Sequence, residues 1–377
     1  MTKREEPKPS SNESSTITTR ASRSRLKSIL IEVAIQAANY ALILLVSLLA
    51  GGLVILFAGK NPIEAYGALF DGALGGTLKI ADTLDRASVL ILAGLAAAVA
   101  FRTSVWNLGL EGQLYMGAFA AAWVGFSFHG LPLAIHITLV LLAGIVAGAL
   151  WALPAIFLKI RWNVNEVVST LMLNYIAILF TAYLVAFPFK DPAALFPGTP
   201  VLDASARLPR LIPGSVLNIG FILALVLAFV VNWFMFRSKQ GYELRMVGLN
   251  ARFAGYAGMP VKQSAFLAMM LSGALVGLGG AVVIAGFFGR FITSFSVGYG
   301  WDGMLISLLA QNHPLGVIPA ALFYAGLSNG GMAMQSATGV DQAVVTVVKG
   351  TLLAFVTVKV FIDFLNRRLR KWAPSTS

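Results

Sequence analysis

Long apolar runs separated by short polar segments make up most of this sequence. The first run, residues 29 to 57, is too long for the core of a signal peptide and is followed by no small-residue cleavage site, so it predicts a transmembrane helix. Further long runs lie at about residues 133 to 157, 163 to 187, 217 to 236, 267 to 288 and 341 to 364. The pattern predicts an all-α polytopic membrane protein whose membrane domain covers residues 28 to 366.

Some apolar segments are too short to cross a membrane by themselves. Residues 87 to 101 would form roughly 22 Å of helix against a hydrocarbon core of about 30 Å, so they either extend into their flanks or end within the membrane. Residues 301 to 335 have to cross an even number of times, because the segments on either side of them are both predicted outside. The break at NHPLG suits a hairpin or a re-entrant pair. We expect eight to ten transmembrane segments, some of them discontinuous.

The charge distribution predicts the orientation of these segments. The formal net charge of +12 lies in three basic segments beside apolar runs, residues 1 to 27, 237 to 262 and 367 to 377, each with a net charge of +4. The positive-inside rule places all three in the cytoplasm, as a Ser/Thr-rich, disordered N-terminal tail, a loop and a C-terminal tail. Contact with membrane lipid therefore explains the basic composition, and no nucleic-acid partner is predicted.

Two polar segments share a pattern. WNLGLEGQLYMGAF at 106 to 119 and GYGWDGMLISLLA at 298 to 310 both contain G-x-acid-G-x-L, each at the start of a predicted short helix. Glu111 and Asp302 are the acids, and an acid in the first turn of a helix is favoured by the macrodipole in any protein. Buried acids in membrane proteins usually face an interior path, however, and transporters often repeat broken helices around a binding site. We therefore predict that Asn107, Glu111, Gln113, Trp301 and Asp302 line a solute pathway.

A polar stripe follows one face of the next predicted helix. Glu166, Thr170 and Asn174 are four residues apart and so share a face, which is expected to contact a pathway or a partner helix. Glu166, Asn174 and the adjacent Tyr175 are predicted to line the same pathway. Lys349, within the last apolar run, is expected to pair with an acid such as Asp302 or Glu111, to extend to the interface, or to line the pathway.

The sequence offers little support for metal or catalytic chemistry. There is no Cys, and the three histidines, His129, His136 and His313, lack metal-site spacing, so we expect packing or interfacial roles for them and no metal or bound cofactor. The segment nearest to a P-loop, at Gly59-Lys60-Asn61, has Val54 where the first Gly is required. The chain is therefore predicted to hydrolyse no ATP itself and not to be an enzyme.

Four stretches carry a resemblance to a known family. FRTSVWNLGLEGQLYMGAFAA, NVNEVVSTLMLNYIA, GYELRMVGLNARFAGYAGM and GYGWDGMLISLLAQNHPLG resemble the permease subunits of ABC importers of the branched-chain amino acid and ribose type, within them most closely the nucleoside and simple-sugar branch. The resemblance extends from about residue 60 to 360. It implies the ABC importer permease fold and a cell (inner) membrane location. It also implies a second permease, so that the two permeases form a hetero-dimer, ABC ATPase subunits that bind ATP and Mg, and an extracytoplasmic solute-binding lipoprotein.

The same resemblance assigns the ATPase-coupling segment to residues 241 to 259. Matching positions are Arg245, Gly248, Asn250, Ala254, Tyr256, Ala257 and Gly258, whereas Ala251, Phe253, Gly255 and Met259 depart from the family pattern. A short basic amphipathic helix could equally be a plain interfacial anchor.

These observations predict a permease for nucleosides, most simply purine nucleosides. A simple-sugar or branched-chain amino acid permease of the same type is the first alternative. A proton-coupled secondary carrier is an alternative from another class, and a membrane enzyme would require a catalytic motif that the sequence lacks.

Overall fold

A computed structural model describes residues 45 to 193, 197 to 351 and 353 to 354. The two predicted tails, most of the first apolar run and the end of the last one lie outside the described residues. The chain divides into two units, and residues 63 to 340 form the larger one. In the other unit, Leu45–Phe57 (α1) and residues 342 to 351, which include Lys349, are helical.

The larger unit is built from helices. In chain order they are α2 (Pro62–Leu74), α3 (Thr77–Arg102), α4 (Leu110–Ser127), α5 (Leu133–Trp162), α6 (Glu166–Ala186), α7 (Gly220–Arg237), α8 (Lys239–Leu249), α9 (Ala251–Tyr256), α10 (Val261–Val283), α11 (Tyr299–Leu309) and α12 (Pro314–Thr338). A π turn, Ile284–Phe288, prolongs α10. Among the described residues, six helices are long and apolar enough to span a membrane, namely α3, α5, α6, α7, α10 with its π turn, and α12. The all-α class is confirmed, while the count of eight to ten segments stays a prediction.

The α3 helix lies at the centre of the unit. Within its apolar window 89% of the residues are buried, against 22% in α5 and in α6. Alanines and a glycine fill much of the second half of α3, so α10, α11 and α12 can pack closely around it. The outward faces of α5 and α6 expose large apolar side chains such as Leu150 and Leu179, as expected of helices that meet lipid. The short segment at 87 to 101 is thus part of a full span, because Thr77–Arg102 extends it into its N-terminal flank.

Two small-residue motifs bring α5 and α10 into direct backbone contact. The two helices cross where Gly144 and Gly148 face Gly273 and Gly277. A Cβ at Gly148 would lie 2.3 Å from the carbonyl oxygen of Gly273, and one at Gly277 would lie 2.3 Å from that of Gly144. Close approach of this kind replaces the hydrophobic driving force that helices lack in lipid. The two G-x-x-x-G motifs therefore pack on each other within the chain.

The chain reverses direction between α11 and α12, at the NHPLG break that was expected to make a hairpin or a re-entrant pair. A non-helical segment, residues 289 to 298, leads from the π turn to α11, whose Gly303 packs against Ala93 well inside the α3 span. The short turn at 310 to 313 then reverses the chain into α12, with Gln311 and Asn312 in left-handed backbone conformation. The α11 helix has only 11 residues. It begins inside the bundle and is a half-length helix.

The two ends of the unit differ. The end that carries α8 and α9, together with Arg102 and His313, is called the basic end below. At the opposite end lie the loop of residues 197 to 219 and the π turn, which are joined where the Leu202 amide donates to the Gly289 carbonyl. The segment 188 to 216 contains six prolines, and its described part has one short 3-10 turn, Ala204–Ala206.

Candidate functional site

The non-helical segment between α3 and α4 is held by side-chain amides. The amides of Asn107 and Gln113 pair face to face, with N···O distances of 2.9 and 3.1 Å. Asn107 also donates to the Ser272 hydroxyl of α10 at 2.9 Å and accepts from the amide of Gly109 at 3.0 Å. Asn107 and Gln113 are buried. Irregular backbone inside a membrane protein requires such internal partners, so these amides first of all support the chain break.

The polar stripe of α6 contacts the same break. The side chain of Asn174 accepts from the Gly112 amide at 2.7 Å and donates to the Leu108 carbonyl at 2.6 Å. Thr170 accepts from the Leu108 amide at 3.2 Å. The stripe was expected to contact either a pathway or a partner helix. Thr170 and Asn174 contact the start of α4, which is a partner helix.

Glu111 joins the two segments that share the G-x-acid-G-x-L pattern. Its carboxylate accepts a 2.7 Å hydrogen bond from the Gly300 amide in the first turn of α11, and the side chain is 4% exposed. The backbones touch as well, because a Cβ at Gly300 would lie 2.4 Å from the Glu111 nitrogen. One carboxylate therefore serves two helix N-termini, α4 and α11, whose positive dipole ends converge on it. We call this contact the helix junction.

The other predicted pathway residues differ in their partners and in how far their side chains are exposed. Asp302, one turn into α11, accepts a hydrogen bond from the Tyr324 hydroxyl of α12. Trp301 is 42% exposed and Tyr175 is 61% exposed. Glu166 forms an ion pair with Lys159 across the turn that joins α5 to α6. The structure thus brings together Asn107, Gln113 and Asn174 at the start of α4, next to Glu111. Glu166 pairs with Lys159 instead, and the side chains of Tyr175 and Trp301 are exposed, although Trp301 directly follows Gly300.

At the basic end, α8 is anchored on the ends of α3 and α7. The carbonyl of Gly248 accepts from the Ser104 hydroxyl at 2.7 Å, and a Cβ at Gly248 would lie 2.0 Å from the Arg102 carbonyl oxygen. The guanidinium carbons of Arg245 and Arg102 lie 4.9 and 4.8 Å from the centre of the Phe236 ring. The Nε of Arg245 is buried and has no hydrogen-bond partner in the described part of the chain. The guanidinium of Arg245 also lies 5.9 Å from the centre of the Tyr242 ring, so it contacts two aromatic rings.

The same cluster reaches the turn between α11 and α12. Arg102 donates to the Asn312 carbonyl at 3.1 Å, and the His313 ring stacks on Phe236 with centroids 5.2 Å apart. Burial, and then the positive charge of Arg102, lower the pKa of His313 below its ordinary value. The other two histidines contact loop residues at the opposite end, His129 with Asp203 and His136 with Ser205. Among the described residues, no group of three potential metal ligands occurs.

Beyond α8, the predicted coupling segment exposes apolar side chains. Asn250 caps α9 by accepting from the Phe253 amide at 3.0 Å, and Gly258 ends the segment with a φ of +78°. Leu249, Phe253 and Tyr256 are 79, 67 and 93% exposed. Phe253 and Tyr256 are three residues apart on one face of α9, and Leu249 is the last residue of α8, just before the extended Asn250. We call these three side chains the apolar tip.

Several residues of these sites have no role that the sequence indicates. Ser272 and Phe236 stand in apolar runs with no local motif to mark them, and Arg102 lies in a stretch that carries the family resemblance but was assigned no role there. Arg102 and Arg245 are 143 residues apart in the chain (245 minus 102), and only the fold shows that they share one ring. Gly300 belonged to the noted G-x-acid-G-x-L pattern, and that pattern was the available signal for the helix junction.

Comparisons with known proteins agree on one family. The family model described as "branched-chain amino acid transport system / permease component" matches residues 79 to 357. The guanosine ABC transporter permease protein NupP of Bacillus subtilis is 38% identical over 87% of this chain and 95% of its own length. The nucleoside ABC transporter permease protein NupB of Lactococcus lactis is 33% identical, covering 84% of this chain and 89% of its own. The glucose ABC transporter permease protein TsgB13 of Haloferax volcanii is also 33% identical, covering 85 and 87%.

Proposed function

The chain belongs to the branched-chain amino acid transport system permease family, and on that premise we propose that it carries nucleosides across a membrane as a permease subunit of an ABC importer. It is a multi-pass membrane protein and a transport component rather than an enzyme. Two relatives at 38 and 33% identity are named for guanosine and for nucleosides, which favours this solute class. The relative named for glucose keeps a simple sugar as the alternative solute.

The geometry of the basic end supports coupling to an ATPase. The apolar tip extends from a segment whose Gly248 and Arg245 rest on the ends of α3 and α7, so a push on the tip would be transmitted to these helices. Exposed aromatic and aliphatic side chains on a short helix suit a hydrophobic groove in a partner protein. This rigid link between an exposed tip and the central helix is the observation that carries the coupling part of the proposal. ATP and Mg would be bound by that partner ATPase.

The basic end is proposed to face the cytoplasm. Residues 237 to 262 carry five basic and one acidic side chain, and such loops are retained inside by the positive-inside rule. Both termini are proposed to lie on that side as well, in the cell (inner) membrane. The opposite end, with its loop at 197 to 219, would then face the extracytoplasmic solute-binding lipoprotein.

The helix junction is proposed to work as the moving part of the permease. The half-length helix α11 begins inside the bundle and meets α4 there, and alternating access requires rigid-body shifts of such elements. Asn107, Gln113 and Asn174 hold the α4 side of the junction, whereas Asp302 and Tyr324 tie α11 to α12. Trp301 and Tyr175, which are exposed, would meet the solute or a second permease that completes the pathway as a hetero-dimer.

Uptake by cells with and without this gene tests the proposal. Labelled guanosine, adenosine, glucose and a branched-chain amino acid are supplied in turn, with ATP depleted in a parallel sample. We expect loss of nucleoside uptake alone in the deletion strain, and no uptake after ATP depletion. Loss of glucose uptake alone would identify the solute as a sugar and would leave the assignment as an ABC importer permease unchanged. Uptake that persists without ATP and follows a pH gradient would instead support a proton-coupled carrier.

A further inference from the structure

A cavity of about 460 Å³ opens at the end of the larger unit opposite the basic end. It lies between the N-terminal half of α3, the π turn after α10, the segment leading into α11, and α12. Solute sites in proteins are concave, have volumes of this order and combine apolar walls with a few fixed polar groups. The walls of this cavity meet that description.

The polar wall comes from α3 and α12, and its side chains are fixed by neighbours. Asp85 is buried and accepts from the Asn218 amide at 2.6 Å. Arg86 donates to the Ser328 hydroxyl at 3.0 Å, and Asn329 donates to the Thr83 hydroxyl at 3.2 Å. Asp82, one turn before Arg86, is exposed at the same wall. Two carboxylates, one amide and one guanidinium thus face a common space.

The apolar wall is aromatic. Phe288 and Phe295 meet edge to face with centroids 6.1 Å apart, and Phe287 meets Phe288 at 4.8 Å. Tyr299, the first residue of α11, closes the wall next to them. Aromatic faces of this kind bind flat rings by stacking.

We propose that this cavity is a solute-binding site within the single chain, and that its occupant is an uncharged molecule with a flat polar ring and several hydroxyl groups. This inference rests on the proposed function and identifies a nucleoside as the occupant. The ring would lie against Phe288, Phe295 and Tyr299. Sugar hydroxyls would donate to Asp82 and Asp85, and ring carbonyls would accept from Arg86 and Asn329.

The charges of the cavity select against nucleotides. Lys79 also lines it, but Lys79 forms an ion pair with Asp71, so Arg86 is the cation left to face two carboxylates. A phosphate group beside Asp82 and Asp85 would be repelled. The expected specificity is therefore for the nucleoside over its monophosphate.

The cavity is one peptide bond away from the helix junction. Tyr299 contacts the cavity, and the next residue, Gly300, donates to Glu111. A solute packed on Tyr299 therefore presses on the first turn of α11. Filling the cavity would bias the junction that we propose to move during transport.

The absence of natural cysteine allows a direct test. Val297 lines the cavity and is 70% exposed, whereas Val201 lies at the same end, is 41% exposed and does not line it. Val297→Cys and, as the matched control, Val201→Cys are each introduced into the complete transporter in cells. The rate of labelling by a membrane-impermeant thiol reagent is then measured with and without guanosine, and with guanosine monophosphate.

Occupation of the cavity should make Val297→Cys label about tenfold more slowly at a guanosine concentration about ten times the Kd, because the reactive fraction falls as 1/(1 + [L]/Kd). Val201→Cys should show no change, and the monophosphate should protect neither position. Adding Asp82→Asn, or in a separate variant Asp85→Asn, to Val297→Cys should shift protection to higher guanosine concentrations. Asp82 is exposed, so its variant is expected to fold even if the Asp85 variant does not.

Uptake measured in the same cells separates the two proposals. If guanosine is taken up but saturating guanosine does not slow the labelling of Val297→Cys, the proposed binding site is wrong and the proposed function stands. Absence of guanosine uptake in cells with the natural chain overturns the proposed function, and the nucleoside occupant with it.

Discussion

The amide of Gly300 donates a hydrogen bond of 2.7 Å to the carboxylate of Glu111, 189 residues earlier in the chain. This bond joins two buried residues in the first turns of α4 and α11, in segments of matching sequence. Glu111 is an acid in the first turn of α4, and its carboxylate also accepts from a backbone amide that α11 itself leaves unbonded. The helix dipole therefore explains its position, and its contact with a second helix also makes it a candidate for a part in transport.

Replacing Gly300 by Ala should separate these helix starts. The new Cβ would lie 2.4 and 2.7 Å from backbone atoms of Glu111, which cannot rotate away as a side-chain tip could. Overpacking of this kind costs about 1–3 kcal/mol, so we expect a lower thermal midpoint and, with the same cost added to the barrier for transport, uptake slower by about fivefold or more. Gly67→Ala in α2 is the matched control, because its Cβ would meet nothing within 4 Å. Normal uptake by Gly300→Ala would show that the junction tolerates separation.

Glu111→Gln tests the charge without removing the acceptor. A Gln carbonyl can still accept from Gly300, so assembly should be retained, but the negative charge between two positive helix ends is lost. We expect uptake to fall while the amount of chain in the membrane stays constant. Asp302→Asn, which keeps an acceptor for Tyr324, should behave in the same way. Unchanged uptake in both variants would remove these acids from the transport mechanism.

Asn174 and Tyr175 are neighbours in sequence with opposite environments. Asn174→Ala leaves the Gly112 amide and the Leu108 carbonyl without their partner, at a cost of about 1–3 kcal/mol for each buried group. Tyr175→Ala removes an exposed side chain and should leave stability nearly unchanged. Thermal unfolding in detergent compares the two. If Tyr175→Ala nevertheless lowers uptake, its role lies at the solute or at the second permease.

The loop at the opposite end contains a carboxylate with a strongly shifted pKa. The Ser205 amide, then the Ser205 hydroxyl and His129, lower the pKa of Asp203 to about 2, below its ordinary value of about 3.9. A lowered pKa stabilises the fold above the unfolded-state value, so this contribution is full above about pH 5 and is lost as the pH falls towards 2. Thermal midpoints of the natural chain and Asp203→Asn should therefore differ most at neutral pH and converge near pH 2. A constant difference down to pH 2 would contradict the assignment.

Sequence patterns predicted which helices and motifs form the site, but they did not predict how these helices and motifs contact one another. The spanning helices could be predicted from the apolar runs, because a bilayer requires a minimum length and an apolar composition of each helix separately. The G-x-acid-G-x-L pattern marked Glu111 and Gly300, but contact between segments this far apart depends on how α3 and α10 pack, which no local pattern encodes. The repeated pattern could therefore be found in the sequence, whereas the hydrogen bond between Gly300 and Glu111 could not be predicted from it.

The α6 stripe shows the same limit at short range. Four-residue spacing correctly put Glu166, Thr170 and Asn174 on one face. Asn163, in left-handed conformation, folds the α5–α6 turn so that Glu166 reaches Lys159, while the two later residues reach α4. Helical periodicity fixes which side chains share a face, but the neighbours along that face change from one turn to the next.

The coupling proposal makes its sharpest prediction at two glycines of one segment. A Cβ at Gly248 would lie 2.0 Å from the Arg102 carbonyl oxygen, whereas a Cβ at Gly255 would come no closer than 3.7 Å to its neighbour. Gly248→Ala should therefore lift α8 from the end of α3, and Gly255→Ala should not. Gly258→Ala should also weaken the segment, because a left-handed φ of +78° costs an L-residue about 1–2 kcal/mol.

The measurement is ATPase activity of the purified complete transporter, with and without the solute-binding protein. We expect Gly248→Ala to keep basal activity and lose stimulation, because the apolar tip can still dock while its link to α3 is broken. Arg245→Lys should lose part of the stimulation, since an ammonium cannot stack on Phe236 as a guanidinium does, and Arg252→Lys, exposed on the same segment, should lose none. Full stimulation of Gly248→Ala would mean that the signal reaches the membrane helices by another route, and the segment would then be a plain interfacial anchor.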